Sequence, residues 1–208
     1  MSGVPTWTRR SFDAPGLTQY PTGRHLEAVQ ARFGGAVVLC LDVSGSMSGA
    51  PLSQAVAGCR RFVDEALKAV YEVAVLFWDN RVDGHTALTR DGAELHRFLG
   101  GARSGGGTNV VPALEAAHRL LADRRGDRVV AIFGDGDLGD AAGARVKSDV
   151  MRGENVRIIT CGLGLASAES LDVISTEATG AGPRVADATA IADSIAGMAG
   201  GLRRTGRR

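Results

Sequence analysis

Ala36-Val37-Val38-Leu39-Cys40-Leu41-Asp42-Val43-Ser44-Gly45-Ser46 is the stretch that decides the fold. An unbroken apolar run of this length, flanked by glycine at Gly34-Gly35, reads as a strand buried on both faces. One carboxylate and two hydroxyls then emerge at its tip, and Gly45 lets the backbone bend between the serines. A long amphipathic segment follows over 51–69, where Leu52, Ala55, Val56, Cys59, Phe62, Val63, Ala66 and Leu67 keep helical spacing. Asp42, Ser44 and Ser46 are hard oxygen donors with one negative charge among them, a set that suits Mg²⁺ or Mn²⁺ better than zinc.

Working outward, the pattern alternates between strand and helix. Strands are expected over 72–78, 128–133 and 156–161, with a short one at 184–186 and an edge strand or loop at 82–88. Helices are expected over 91–99, 109–122, 141–153, 167–179 and 188–202, with Pro112 in a first turn where its missing N–H is harmless. Apolar strands separated by helices imply an α/β fold: a doubly wound, mostly parallel central sheet with helices on both faces. Ligands of such sheets bind beyond the carboxyl ends of the strands, where the strand order reverses. Asp42 and Asp135 both fall at such ends. The domain is expected to span 36–202, preceded by an arm at 1–35 with a short helix over 22–33 and followed by a basic tail at 203–208.

Composition narrows the function classes. The chain has 208 residues, 44% of them hydrophobic, enough for one domain with a sizeable core. A net charge of +1 argues against nucleic acid as the main partner. No segment approaches a membrane span, and Met1 to Gly16 lacks the apolar stretch of a secretory signal, so a soluble cytoplasmic protein is expected. Cys40, Cys59 and Cys161 form no CxxC pair; Cys40 and Cys161 lie in strand-like runs and read as small buried hydrophobes.

Asp42-x-Ser44-x-Ser46, then Thr108 after Gly105-Gly106-Gly107, then Asp135 in Phe133-Gly134-Asp135-Gly136, is similar to the metal-ion-dependent adhesion site of von Willebrand factor A domains. The intracellular bacterial members resemble it most. The resemblance extends over roughly residues 36–200 and implies a Rossmann-like fold with one Mg²⁺ or Mn²⁺ held by Asp42, Ser44, Ser46, Thr108 and Asp135. It further implies that a partner protein supplies an Asp or Glu to the metal. Rim loops at 45–50, 79–85, 104–109 and 136–141 would then set specificity. Family members of this kind often act beside MoxR-type AAA+ ATPases or in stress and defence operons, so such an ATPase or an operon-encoded effector is the implied partner. One position departs from the pattern: Gly134 stands where the family commonly has Thr.

Competing readings are weaker. A phosphoryl-transfer enzyme on a similar sheet, with Asp42 as nucleophile, needs a second carboxylate two residues on, where Ser44 stands, and a lysine at a strand end, where none occurs. A protein that binds metal only for stability is the other alternative. Asp135-Gly136-Asp137-Leu138-Gly139-Asp140 fails as a calcium loop because Gly139 falls at an acidic position and Val146 at the twelfth. Asp137 and Asp140 read as loop carboxylates near the site, and Asp79 as a loop cap rather than a ligand. The four histidines lack ligand spacing.

Overall fold

The computed structural model describes residues 34–176, 185–186 and 191–206. The elements run β1 (Ala36–Asp42), α1 (Ala50–Lys68), β2 (Glu72–Trp78), β3 (Val82–His85), α2 (Gly92–Leu99) and α3 (Val111–Leu121). They continue as β4 (Arg128–Gly134), α4 (Ala141–Gly153), β5 (Val156–Leu163), α5 (Leu165–Leu171), β6 (Val185–Ala186) and α6 (Ile191–Met198). A 3₁₀ segment, Ala199–Gly206, follows α6 directly. The helix expected over 22–33, and the outer parts of the arm and tail, lie outside the described residues.

The six strands order as β3-β2-β1-β4-β5-β6, parallel throughout except for the antiparallel β2–β3 pair. This is the doubly wound sheet that the apolar runs imply. Every residue of β1 is buried, as a strand covered on both faces requires. Val37, Leu39 and Leu41 face one core with Ala55, Cys59 and Phe62 of α1, Leu95 of α2 and Ile195 of α6. Val38 and Cys40 face a second core with Leu114 of α3, Ala144 of α4 and Leu171 of α5. Each fully buried Val or Leu contributes roughly 1.5–3 kcal/mol, so the two cores anchor β1 as the axis of the molecule.

Local chemistry sets the helix ends. Asp91 caps α2 by accepting from the amides of Ala93 (2.9 Å) and Glu94 (3.1 Å). Asp140 caps α4 by accepting from Gly143 N (2.8 Å). Pro112 sits in the first turn of α3, as expected. The segment 82–88 resolves into the four-residue strand β3, with Thr89 making a further bridge to Val73.

One expectation is corrected. The helix expected over 167–179 starts at Leu165 and ends at Leu171. The chain then turns back to the sheet, where Thr176 donates its amide to Ile158 O (2.9 Å) and accepts from Ile158 N at its hydroxyl (2.7 Å). The 3₁₀ segment carries the backbone from Ala199 through Gly206. Among the described residues no helix is long and apolar enough to cross a membrane. The three cysteines are free and buried, and burial pushes all three thiols up, Cys161 to about 12, which leaves them packing groups.

The chain leaves β1 toward β2 on one side, while β4 and β5 extend the sheet on the other. The strand order therefore reverses between β1 and β4, and their carboxyl ends open on a single crevice.

Candidate metal centre

Asp42 closes β1 at that crevice and is fully buried, as is the Ser44 side chain behind it. A 3₁₀ turn over Gly45–Met47 then reverses the chain, and the buried Met47 nails it to the core. This turn points the two hydroxyls back toward the carboxylate. Ser44 N donates to Asp42 Oδ1 at 2.8 Å, and the Ser44 and Ser46 hydroxyls lie 3.0 Å apart. Ser46 Oγ donates in turn to Asp135 Oδ2, across from β4. The Asp135 amide lies 3.4 Å from Asp42 Oδ2 and closes the ring. Four of the five residues singled out in the sequence thus form one hydrogen-bonded chain around the crevice.

Thr108 reaches the same mouth through its backbone. Gly105 N donates to Val43 O (2.8 Å) and Gly45 N to Gly106 O (3.3 Å), which fasten the glycine-rich loop to the β1 turn. Asn109 N donates to Asp79 O (2.8 Å) and Val110 N to Leu138 O (3.1 Å), which fasten its far side to β2 and to the loop after β4. The fit needs glycine: a Cβ on Gly106 (φ 72°) would stand 2.0 Å from Asp79 Oδ2, and one on Gly139 would stand 2.2 Å from Thr108 O. Among the described residues no hydrogen bond joins the Thr108 hydroxyl to the other four.

Asp79 is a residue whose importance the sequence understated. It is buried at the end of β2, accepts from Arg81 N at Oδ1 (2.8 Å), and holds the glycine-rich loop from below. The side chain thus caps its own turn at Arg81, while the Asp79 carbonyl holds Asn109, next to Thr108. Asp137 and Asp140 are also spent locally, accepting from Gly139 N (2.8 Å) and Gly143 N (2.8 Å). Lys68 and Lys147 turn to Glu65 (2.9 Å) and His118 (2.9 Å), away from the crevice.

The electrostatics are those of a carboxylate awaiting a cation. Burial pushes the Asp42 carboxyl up to about 6; the hydroxyl and amide of Ser44 oppose the rise, and the charge of Asp135 adds to it. No arginine or lysine pairs with Asp42 among the described residues. Nor do those residues contain a cluster of three His, Cys, Asp or Glu side chains. Two carboxylates and neighbouring hydroxyls, all oxygen, fit a hard divalent ion, whose formal charge the two acids match.

A family model described as von Willebrand factor type A domain matches residues 37–137, from β1 through the loop after β4. The chain carries a von Willebrand factor type A domain. Solved structures agree on the fold. The vWF domain of the type V pili tip protein Mfa5 from Porphyromonas gingivalis superposes with a TM-score of 0.67 at 14% identity, over 81% of this chain and 94% of that one. The von Willebrand factor type A protein from Catenulispora acidiphila gives 0.66 at 16%, over 81% of this chain and 42% of that one. Proximal thread matrix protein 1 from the mussel byssus, described with a zinc-occupied MIDAS motif, gives 0.65 at 16%, over 82% and 46%. No curated protein matches the chain. Type A domains commonly serve as protein-interaction modules.

Proposed function

We propose that this type A domain is a metal-dependent protein-binding module that takes an acidic side chain of its partner. The observation that carries the reading is the hydrogen-bonded chain Asp42–Ser44–Ser46–Asp135 built around a buried carboxylate with no cationic neighbour among the described residues. In this reading Asp42, Ser44, Ser46, Thr108 and Asp135 hold one Mg²⁺ or Mn²⁺. Bound there, the ion supplies positive charge and an open coordination position to which an Asp or Glu of another protein adds.

The chain's own residues do the rest. Ser44 and Ser46 present neutral oxygens and so add no further negative charge to oppose an incoming anion. The glycine-rich loop sets the height of Thr108, and Asp79 keeps that loop down. A MoxR-type AAA+ ATPase or an operon-encoded effector is the partner class we favour, within a bacterial cytoplasmic complex. Catalysis has little to work with: Ser44 stands where a phosphoryl-transfer enzyme needs a second acid, and both lysines are engaged elsewhere.

Affinity capture from a lysate, with Mg²⁺ or with EDTA, tests the reading on wild type and Asp42→Ala. Partners retained by wild type in Mg²⁺ should vanish in EDTA and in the variant, while an Asp42-dependent phosphatase activity would overturn it. Mn²⁺ titration by electron paramagnetic resonance should find one site, weakened at least about 100-fold in Asp42→Ala because the principal charged oxygen is gone.

A further inference from the structure

Gly134, the residue that departs from the family pattern, closes β4 beside Asp42; the residues before them, Phe133 and Leu41, are register partners. A Cβ built on Gly134 would stand 2.9 Å from Asp42 Oδ2, 3.2 Å from Asp42 Cβ and 3.3 Å from Trp78 Cζ2. The first distance is shorter than a carbon and a carboxylate oxygen tolerate. The space that a side chain at 134 would need is already filled, by the Asp42 carboxylate on one side and the Trp78 indole on the other.

Neither neighbour yields easily. Trp78 is fully buried in the core that holds Val110, Leu114 and Leu138, and its Nε1–H has no partner among the described residues, so packing alone fixes the ring. Asp42 is held by the Ser44 amide at Oδ1 and faces the Asp135 amide at Oδ2. An added methyl would enter as a wedge, and the more mobile of its two neighbours is the carboxylate. Pushed off the Asp135 amide, Asp42 would lose its alignment with Ser44 and Ser46.

We infer that Gly134 is a positioning residue of the metal centre: its missing side chain lets the Trp78 ring back the Asp42 carboxylate and seat it where β1 and β4 part. The site thus has an aromatic wall behind the primary acid. This inference rests on the metal-binding reading above.

The experiment measures Mn²⁺ affinity by electron paramagnetic resonance for wild type, Gly134→Ala, Trp78→Phe and the double variant, with unfolding in EDTA followed in parallel. Gly134→Ala should bind about tenfold more weakly, the size expected when a group supporting a ligand is disturbed. Trp78→Phe in the same chain should restore most of that loss, because removing one side of the wedge lets β4 relax away from Asp42. A merely structural effect of the alanine would instead be worsened by the smaller ring. Gly134→Ala binding within about twofold of wild type, or a double variant no better than Gly134→Ala, overturns the inference. A second readout needs no change at 134. The chain has two tryptophans, so in Trp7→Phe the emission reports Trp78 alone, and Mn²⁺ should quench it with the midpoint seen by resonance. Mn²⁺ bound without quenching overturns the placement of the ring. Wild type that binds no Mn²⁺ overturns the metal reading and this inference together, whereas binding by wild type with an undisturbed Gly134→Ala overturns this inference alone.

Discussion

The two ends of the sheet each carry an aspartate, and the molecule treats them in opposite ways. At the amino ends of the strands, Asp127 accepts from Arg157 (2.8 Å) and from the Tyr71 hydroxyl (2.6 Å). Tyr71 also reaches Leu202 O (2.8 Å), and Arg157 reaches Gly201 O (3.1 Å). That knot ties the C-terminal 3₁₀ segment to the base of β2, β4 and β5. At the carboxyl ends, Asp42 is buried among hydroxyls and amides with no such cation. A carboxylate buried with its counter-charge is part of the framework; one buried with only neutral donors is set up to receive a charge from outside. The difference predicts that changes at the base weaken the fold without touching metal affinity, and that changes at the mouth alter metal affinity without weakening the metal-free fold.

The sharpest test of that division is Arg157→Ala. It leaves Asp127 without its guanidinium and frees Gly201 O, in a pair that is mostly but not wholly buried, so a loss of about 2 kcal/mol is expected. Urea unfolding should show that loss equally in Mg²⁺ and in EDTA. An accompanying drop in Mn²⁺ affinity would break the comparison.

A smaller effect of opposite sign is expected from Asp42→Asn in metal-free protein. The folded Asp42 titrates near 6 against an ordinary value of 3.8. Its contribution to stability is thus fully present below about 3.8 and is lost as pH rises through about 6, since only the folded state must then hold a buried, uncompensated charge. The full shift corresponds to at most about 3 kcal/mol. An asparagine cannot accept from both the Ser44 and Asp135 amides, which reduces the gain to about 1–2 kcal/mol. In EDTA at pH 8 the variant should be the more stable protein, and near pH 4 it should have lost that advantage and fall below wild type. Metal should stabilise wild type and leave the variant almost unmoved.

The smallest effect belongs to Thr108→Ala. One neutral oxygen among several is lost, so Mn²⁺ affinity should fall about fivefold, or about 1 kcal/mol. The melting point in EDTA should stay within a degree or so, because the loop on either side of Thr108 is held by backbone bonds that alanine preserves.

Much of this was legible in the residues, and the parts that were not have physical reasons. The strand at 72–78 and the helix at 141–153 carry unambiguous periodicity and appear with those bounds. The 82–88 segment is short and polar at an edge, where packing on one face alone imposes little pattern, and only four of its residues pair as a strand. The five candidate ligands could be chosen because their order along the chain resembles the metal-ion-dependent adhesion site of type A domains. Asp79 and Gly134 could not be read in the same way. Their roles depend on neighbours distant in sequence, the Asn109 amide for Asp79 and the Asp42 and Trp78 side chains for Gly134, which the pairing of strands brings together.

The Ser46–Asp135 contact spans 89 positions of chain, and it unites the two halves of the sheet on either side of β1. β1 and β2 are close in sequence and can pair early, but the half bearing Asp135 must close a far longer loop before it meets them. The crevice therefore has no counterpart in a half-formed chain. Metal uptake during refolding should lag behind the appearance of helix and coincide with the last kinetic phase, which makes the ion a timer for completion of the native state.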